Sequence, residues 1–325
     1  MNSKAIVIRE YGGPEVLVAE DLVVGEPLGH ELLIRQTGIG VNYHDVYVRS
    51  GLYKTLTLPG IPGCEATGVV EAVGANISQF QVGDRVAYVT GGYGAYASYR
   101  NISADLAVQI PDNVSDDTAA SNFLRAMTVA MLTGPVCRIS PSMTVLVHAA
   151  AGGVGRMLCQ ELSNLGVTVI GTVGSAEKAD IAIANGCTQT ILYREVDFVK
   201  SVFQITNGNG VQVVYDSVGS DTFAGSVEVL NFCGHLVNFG QSSGPTDPIA
   251  MATLATKSLT VTRPILFHYL RDQLQYRAMA DQIMNKFASG RLQAPAPMPI
   301  PLEEAAKSHE ILESMNGGGS LILKP

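Results

Sequence analysis

The stretch beyond Met143 decides most of what this chain can fold into. Six strand-like runs begin near Thr144, Val167, Gln189, Val211, His235 and Ser258. The interval is roughly 22–24 residues each time, room for one strand and one crossover helix. The first four intervening segments look helical, and each reaches a glycine: Gly166, Gly186, Gly208 and Gly234. Glycine there supplies the left-handed backbone that ends a helix. Six strands with helical crossovers make an α/β fold, a doubly wound, six-stranded parallel sheet of the Rossmann type.

The repeat opens on Val145-Leu146-Val147-His148-Ala149-Ala150-Ala151-Gly152-Gly153-Val154-Gly155, a buried strand running into a glycine turn and a helix. Aligned to G-x-G-x-x-G, the run gives Ala150, Gly152 and Gly155. Gly152 lets the backbone approach a pyrophosphate, and Gly155 lets the helix pack close to the sheet. The helix N-terminus then offers free N–H groups and a positive dipole end to the phosphates. A dinucleotide is the expected ligand. An NAD site places Asp or Glu about 20 residues past the glycines, on the ribose 2′-OH. Here that count lands on Thr172, and the second strand ends Ile170-Gly171-Thr172-Val173-Gly174-Ser175 with no acid. Ser175, Lys178 and the pair Tyr193-Arg194 supply hydroxyls and cations instead, a set that suits a 2′-phosphate. The reading is therefore NADPH.

Before residue 124 the rhythm differs. Strand-like runs at 4–9, 30–36, 65–73 and 83–89 alternate with Gly/Pro turns, which suggests a barrel-like β domain. After Arg263-Pro264 the strand-helix beat stops. Helices are expected over 270–289 and 302–315, with a last strand over 320–323. This tail has no place in a finished six-stranded sheet and is expected to return to the first domain. The domains are then 1–123 with 266–325, and an inserted nucleotide domain over 124–265. With 46% hydrophobic and 15% charged residues, such a chain buries large cores and is not disordered.

Charge and cysteines exclude other classes. Lys and Arg number 21 and Asp and Glu 29, a formal net charge of −8. That argues against a nucleic-acid or anionic-membrane surface. Cys64, Cys137, Cys159, Cys187 and Cys233 are scattered, with no CxxC pair, which fits free thiols in a reducing compartment. No long uninterrupted apolar run and no signal-peptide pattern are present, so a cytoplasmic protein is expected.

Nearly the whole chain resembles the zinc-independent, zeta-crystallin-like quinone oxidoreductases of the medium-chain dehydrogenase/reductase superfamily. The matching stretches include Gly12-Gly13-Pro14-Glu15-Val16-Leu17, Val41-Asn42-Tyr43-His44-Asp45-Val46-Tyr47, Arg49-Ser50-Gly51-Leu52-Tyr53, Gly83-Asp84-Arg85-Val86, Tyr215-Asp216-Ser217-Val218-Gly219, Val261-Thr262-Arg263-Pro264 and His309-Glu310-Ile311-Leu312-Glu313-Ser314. The resemblance implies a GroES-like β-barrel catalytic domain around the Rossmann insert, NADPH in the cleft between them, and a homodimer. It implies that Asn42, Tyr47 and Tyr53 line the nicotinamide and substrate cleft and that Thr128 is a nicotinamide-side contact. Ala151, Gly152, Gly153 and Val154 fall on the phosphate turn. Gly174, Ser175, Lys178 and Tyr193 match the adenosine-phosphate contacts. Ser217, Phe239, Gln241 and Ser242 lie just past strand ends, where a doubly wound sheet presents its ligands. Gly319 matches a late cofactor contact. Arg125 departs from the pattern, since relatives often carry Lys there.

Zinc members of that superfamily have Cys where this chain has Asn42, and Gly-His-Glu where it has Gly63-Cys64-Glu65. No metal is expected, because Asn is a poor first ligand for catalytic zinc. Cys64 is read as a small, partly buried thiol. Without a Lewis acid, the accessible task is hydride delivery to an acceptor that is already electrophilic, with Tyr47, Tyr53 or ordered water placed to polarise a carbonyl or pass a proton. Quinone reduction is the first expectation. Reduction of the C=C bond of an enone, alkenal or enoyl thioester is the second. A non-enzymatic, crystallin-like or RNA-binding protein that holds NADPH as a ligand is the third. His148 is expected to be packed and hydrogen-bonded rather than catalytic. His30, His235, His268 and His309 show no partner in the sequence.

Overall fold

Alternation of apolar and polar side chains lays down the first strands, and glycine turns set where they reverse. The computed structural model describes residues 1–314 and 319–325. The end of the expected last helix and two of the three glycines at 317–319 therefore lie outside the described residues. The chain divides into two compact units, Met1–Leu124 with Arg271–Pro325, and Arg125–Leu270.

In the first unit β1 (Asn2–Val7) and β2 (Val18–Val23) form an antiparallel ribbon. There follow β3 (Glu31–Gly40), helix α1 (Tyr43–Arg49), β4 (Glu65–Val73), β5 (Arg85–Val89), β6 (Tyr99–Ser103) and β7 (Val108–Gln109). Gly83, at φ +97°, takes the left-handed turn into β5 that a side chain would resist. Leu32, Ile34 and Ile39 of β3, Val86 and Tyr88 of β5, and Tyr96 are fully buried and form much of this core. The sequence does not announce β2, β6 or β7. The burial of β2 shows why: none of its residues is buried, so it carries no apolar rhythm. Helix α2 (Asp116–Met131) carries the chain into the second unit.

The second unit runs β8 (Thr144–Val147), α3 (Gly153–Asn164), β9 (Thr168–Val173), α4 (Ala176–Ala184), β10 (Gln189–Leu192), α5 (Phe198–Ile205), β11 (Val211–Asp216), α6 (Phe223–Glu228), β12 (Leu230–Asn238), α7 (Met251–Ala255), β13 (Thr260–Thr262) and α8 (Leu266–Tyr269). The strands lie in the order β10-β9-β8-β11-β12-β13 and every neighbouring pair is parallel. This is the doubly wound Rossmann sheet expected from the spacing, with its strand order reversing between β8 and β11. Leu146, Ile170, Val214 and Leu236 are buried at the centre of the sheet, and Val202 and Val227 come in from the helices. Gly166, Gly186 and Gly208 take φ of +77°, +102° and +82° just past α3, α4 and α5. Gly234 does not follow them. Helix α6 stops at Glu228, and Gly234 lies inside β12. There the left-handed residue is Cys233, at φ +60°, within a register shift against β11.

The tail comprises α9 (Gln273–Ala288), β14 (Met298–Pro301), α10 (Ala305–Glu313) and β15 (Leu321–Lys324). β15 pairs antiparallel with β3, and β14 runs parallel beside β15. This completes a seven-stranded sheet of order β14-β15-β3-β4-β5-β7, with β6 also on β3. Helix α9 starts at Gln273 because Asp272 caps it, accepting from Gln275 N–H at 2.9 Å. Besides its polar face it buries Tyr276, Met279, Ile283, Met284 and Phe287, and the Tyr276 hydroxyl donates to Leu106 O at 2.7 Å. No helix among the described residues is long and apolar enough to cross a membrane.

Candidate active site

The turn after β8 has the geometry of an anion cradle. Ala149 takes φ +51°, Gly152 N–H donates to Ala149 O at 2.8 Å, and α3 begins at Gly153. A helix's first N–H groups have no acceptor within the helix and carry the positive end of its dipole. Gly153 is exposed, Gly152 and Val154 half-buried, and Ala151 buried. A Cβ on Gly155 would lie 3.0 Å from the Ala150 carbonyl carbon and would collide with Ala149 O, so only glycine lets α3 sit this close to the strand. A Cβ on Gly153 would lie 2.9 Å from Arg125 Cζ. The structure thus sets the buried Arg125 guanidinium against the first turn of α3. The sequence marks Arg125 only as a departure from a family pattern; its place beside the turn is a fact of folding. Thr128 lies one turn further along α2, half-buried.

Twenty residues past Gly152, the threonine that replaces an acid is turned inward. Thr172 is 2% exposed, and its Oγ1 meets His148 Nδ1 at 2.9 Å. The accessible end of β9 is one step further, at Gly174 and Ser175. Ser175 caps α4, accepting from Lys178 N–H at 3.3 Å, which leaves its hydroxyl hydrogen free to point elsewhere. A Cβ on Gly174 would lie 3.2 Å from Tyr193 Oη and 3.3 Å from Arg194 Nε. Gly174 therefore lies against Tyr193 and Arg194, and Ser175 beside it caps the first turn of the helix that carries Lys178.

Below these strand ends runs a buried polar chain. Asp216 Oδ1 accepts from Val218 N–H at 2.8 Å and Gly219 N–H at 3.1 Å, and Thr222 Oγ1 reaches both carboxylate oxygens at 2.9 Å. Ser226 Oγ donates to Asp216 Oδ2 at 3.2 Å and lies 3.0 Å from His148 Nε2. His148 is thus packed and hydrogen-bonded at both nitrogens. Burial pushes its pKa down to about 4, against the pull of Asp216. The chain ties β8, β9 and β11 together and fixes where their loops start. Ser242 N–H donates to Ser217 O at 3.3 Å and Phe239 N–H to Asp216 O at 2.8 Å, which brings Ser217, Phe239, Gln241 and Ser242 together. Arg263 Nη1 holds this group from behind, donating to Asn238 Oδ1 at 2.6 Å and Gly240 O at 2.7 Å. Gly319 belongs to the other unit, is exposed, and has open space where a Cβ would be.

In the first unit α1 and the loop after it gather aromatic rings. Tyr47 and Tyr53 lie 5.0 Å apart between centroids, and Tyr43 and Tyr47 5.3 Å. His44 lies against both Tyr53, at 5.6 Å, and Tyr93, at 5.9 Å, with its Nε2 3.2 Å from Tyr93 Oη. Asn42 precedes the helix, and Asp45 Oδ2 accepts its N–H at 2.9 Å. Its side-chain Nδ2 donates to Glu65 Oε1 at 2.6 Å, while Glu65 Oε2 takes Leu124 N–H at 2.6 Å.

These residues do not fit a catalytic zinc. The Asn42 amide nitrogen is a donor, and both oxygens of Glu65 are already accepting. Cys64 is fully buried rather than partly so; burial first, then Asp45 and Glu65, push its thiol pKa well up, which works against the thiolate a metal needs. Among the described residues no three His, Cys, Asp or Glu side chains are grouped to hold a metal ion. His309, without a visible partner in the sequence, has two: Tyr96 Oη at 3.0 Å and Arg49 Nη1 at 3.4 Å. Arg49 in turn pairs with Glu313 at 2.9 Å. These contacts join residues far apart in the chain, so nothing local signals them.

Comparison with known proteins agrees with this architecture. The family model described as an alcohol dehydrogenase GroES-like domain matches residues 29–112, and the one described as a zinc-binding dehydrogenase matches residues 153–285. A quinone oxidoreductase of Salmonella typhimurium is 41% identical over 98% of this chain and 99% of its own. A 2-haloacrylate reductase of Burkholderia sp. is 37% identical over 99% of this chain and 98% of its own. The crystal structure of Escherichia coli quinone oxidoreductase complexed with NADPH superimposes with a TM-score of 0.95 at 41% identity, covering 99% of this chain and all of that one. The chain belongs to the quinone oxidoreductases of the medium-chain dehydrogenase/reductase superfamily.

Proposed function

We propose that this protein is an NADPH-dependent quinone oxidoreductase that works without zinc. The observation that carries the reading is the placing of Tyr193 and Arg194 against Gly174, and of Ser175 at the cap of the helix that carries Lys178, at a strand end with no acid. An Asp there would repel a 2′-phosphate, whereas these donors attract one. The turn Ala151-Gly152-Gly153-Val154 takes the pyrophosphate on backbone N–H groups, with Arg125 beside it as a cation. Thr128, Ser217, Phe239, Gln241, Ser242 and Gly319 complete the dinucleotide's surroundings. NADPH, when bound, would supply a hydride that together with one proton takes a quinone to its hydroquinone.

Asn42, Tyr47 and Tyr53 hold the reacting end. The phenol hydroxyls of Tyr47 and Tyr53 act as donors to a carbonyl oxygen, and the rings give a flat acceptor a surface to lie on. Glu65 fixes the Asn42 amide so that its carbonyl oxygen, not its NH2, is presented. The cofactor reading assigns residues 124–265 to NADPH, with Gly319 as a further contact, and the rest of residues 1–123 and 266–325 to the acceptor.

A second reading has an observation of its own, the full-length similarity to a 2-haloacrylate reductase. It is reduction of an activated C=C bond by the same hydride chemistry. Purified protein with NADPH, tested in parallel on a small quinone and on a halogenated acrylate, separates the two. Quinone turnover supports the first reading, and turnover of the acrylate alone replaces it with the second. The proposal extends to a homodimer in a reducing, cytoplasmic compartment. Five cysteines with no disulfide and the family resemblance support this. Light scattering at micromolar concentration should give twice the chain mass, and a single chain mass would refute the dimer.

A further inference from the structure

Two cysteines that the proposed chemistry does not use lie in contact inside the second unit. Cys159 faces inward from α3, and Cys187 stands between α4 and β10; their sulfurs are 3.3 Å apart. The backbones that carry them are already clamped together. Gly186 turns at φ +102°, and a Cβ there would lie 2.9 Å from Cys159 O. One residue to the other side, Gln160 Nε2 donates to Asn185 Oδ1 at 2.6 Å. Gly171 of β9 leaves room for the Cys187 sulfur, since a Cβ at 171 would lie 2.7 Å from it. A disulfide needs its sulfurs about 2.05 Å apart, so closing this pair asks for a movement of roughly 1 Å between segments that already touch.

We propose that Cys159 and Cys187 form a modification site, a dithiol that a peroxide converts into an intramolecular disulfide. Both residues are buried, Cys187 at 5% exposure and Cys159 at 0%, and in this scheme the oxidant enters from the side of Cys187. The hydrogen bond with Cys187 first, and then burial, push the Cys159 thiol pKa well up. In the first step the Cys187 thiolate attacks one peroxide oxygen. An S–O bond forms, the O–O bond breaks, and water leaves after protonation, giving a sulfenic acid on Cys187. In the second step the Cys159 sulfur attacks the Cys187 sulfur. The S–S bond forms, the S–O bond breaks, and the departing hydroxide takes the Cys159 proton as a second water. Two thiols are oxidised and one peroxide is reduced to two waters. The bridge would close a loop over β9 and α4, the segment that carries Ser175 and Lys178. The pair stands independently of the proposed function.

The test is treatment of the purified full chain with hydrogen peroxide, followed by denaturation, alkylation of remaining thiols and peptide mapping. The expected result is loss of two of the five thiols, a mass lower by two hydrogens, and one linked peptide pair containing Cys159 and Cys187. All three reverse with dithiothreitol. Cys187→Ala should abolish the linked peptide and leave Cys159 alkylatable. Addition of oxygen to Cys187 or to the exposed Cys233 without a link, or a link between any other pair, overturns the proposal. Because the mapping is done on the unmodified sequence, it decides the matter even if Cys187→Ala fails to fold.

Discussion

The two units hold their candidate functional groups by different means. In the Rossmann unit, backbone N–H groups at a helix start, small residues that let chains approach, and side chains within a few positions of strand ends do the work. In the other unit, Asn42 depends on Glu65, which depends on Leu124 N–H, and Tyr96, His309, Arg49 and Glu313 form a second long-range chain. The first kind of site rests chiefly on its glycines and backbone, backed by the buried chain from Asp216 through Ser226 and His148 to Thr172. The second fails when any buried partner is removed. This contrast can be broken by experiment.

The largest effect is expected at Gly155. Gly155→Val should cost about 3 kcal/mol of stability through overpacking, because a side chain there meets Ala149 O and the Ala150 backbone. NADPH affinity, followed by fluorescence titration, should fall by about 100-fold as the helix start is displaced. A Gly155→Val protein with normal affinity would show that the backbone cradle is not the binding element. Next is Glu65→Ala, which strands two buried donors, Asn42 Nδ2 and Leu124 N–H. Chemical denaturation should show a loss of about 2–4 kcal/mol. NADPH affinity should survive, if the dinucleotide is held by the other unit.

Acid should act on both units. Burial lowers the pKa of His148 to about 4, of His44 to about 4 and of His309 to about 3. A histidine whose folded pKa is below its unfolded value resists protonation, so its contribution to stability is lost as pH falls through 6.5 toward 4. Asp45, raised to about 7 chiefly by burial, works in the opposite sense and favours the fold more as pH drops through that value. The first unit sets two histidines against Asp45, and in the second burial lowers the pKa of both His148 and His235. Each unit should lose about 1–2 kcal/mol between pH 6.5 and pH 5. His148→Asn should reduce the slope and leave the share of His235, and an unchanged slope in urea titrations at the two pH values would contradict the assignment.

Why one unit is legible in the sequence and the other is not follows from the same contrast. The strand-helix beat, the helix-ending glycines at 166, 186 and 208, and the Gly152/Gly155 turn are local signals, and the parallel sheet follows from them. Gly234 misleads because a glycine inside a strand and a glycine after a helix look alike; Cys233 takes the left-handed turn that no propensity would assign to it. Thr172 misleads because counting residues finds the strand end but not the direction of a side chain. The partners of His309, the burial of Cys64 and the place of Arg125 depend on residues tens to hundreds of positions away, where the chain offers no period or spacing to read. The strands β2, β6, β7 and β14 are short or lie at an edge, and their alternation is too brief to see.

Smaller effects sharpen the cofactor half of the comparison. Replacing both Ser175 and Lys178 by Ala should weaken NADPH binding by about 10-fold and leave NADH unchanged. Tyr193→Phe, which removes one hydroxyl from a 46%-exposed ring, should cost only about 2-fold. Equal losses for NADPH and NADH in either variant would move the 2′-phosphate elsewhere.

The measurement that tests the central claim most directly is kcat/KM for NADPH and for NADH with one small quinone, at the same pH and salt. The account predicts quinone turnover with NADPH preferred by about 10-fold or more, the differential that Ser175, Lys178, Tyr193 and Arg194 impose on a 2′-phosphate. Turnover that favours NADH, or no quinone reduction with either nucleotide, would contradict it.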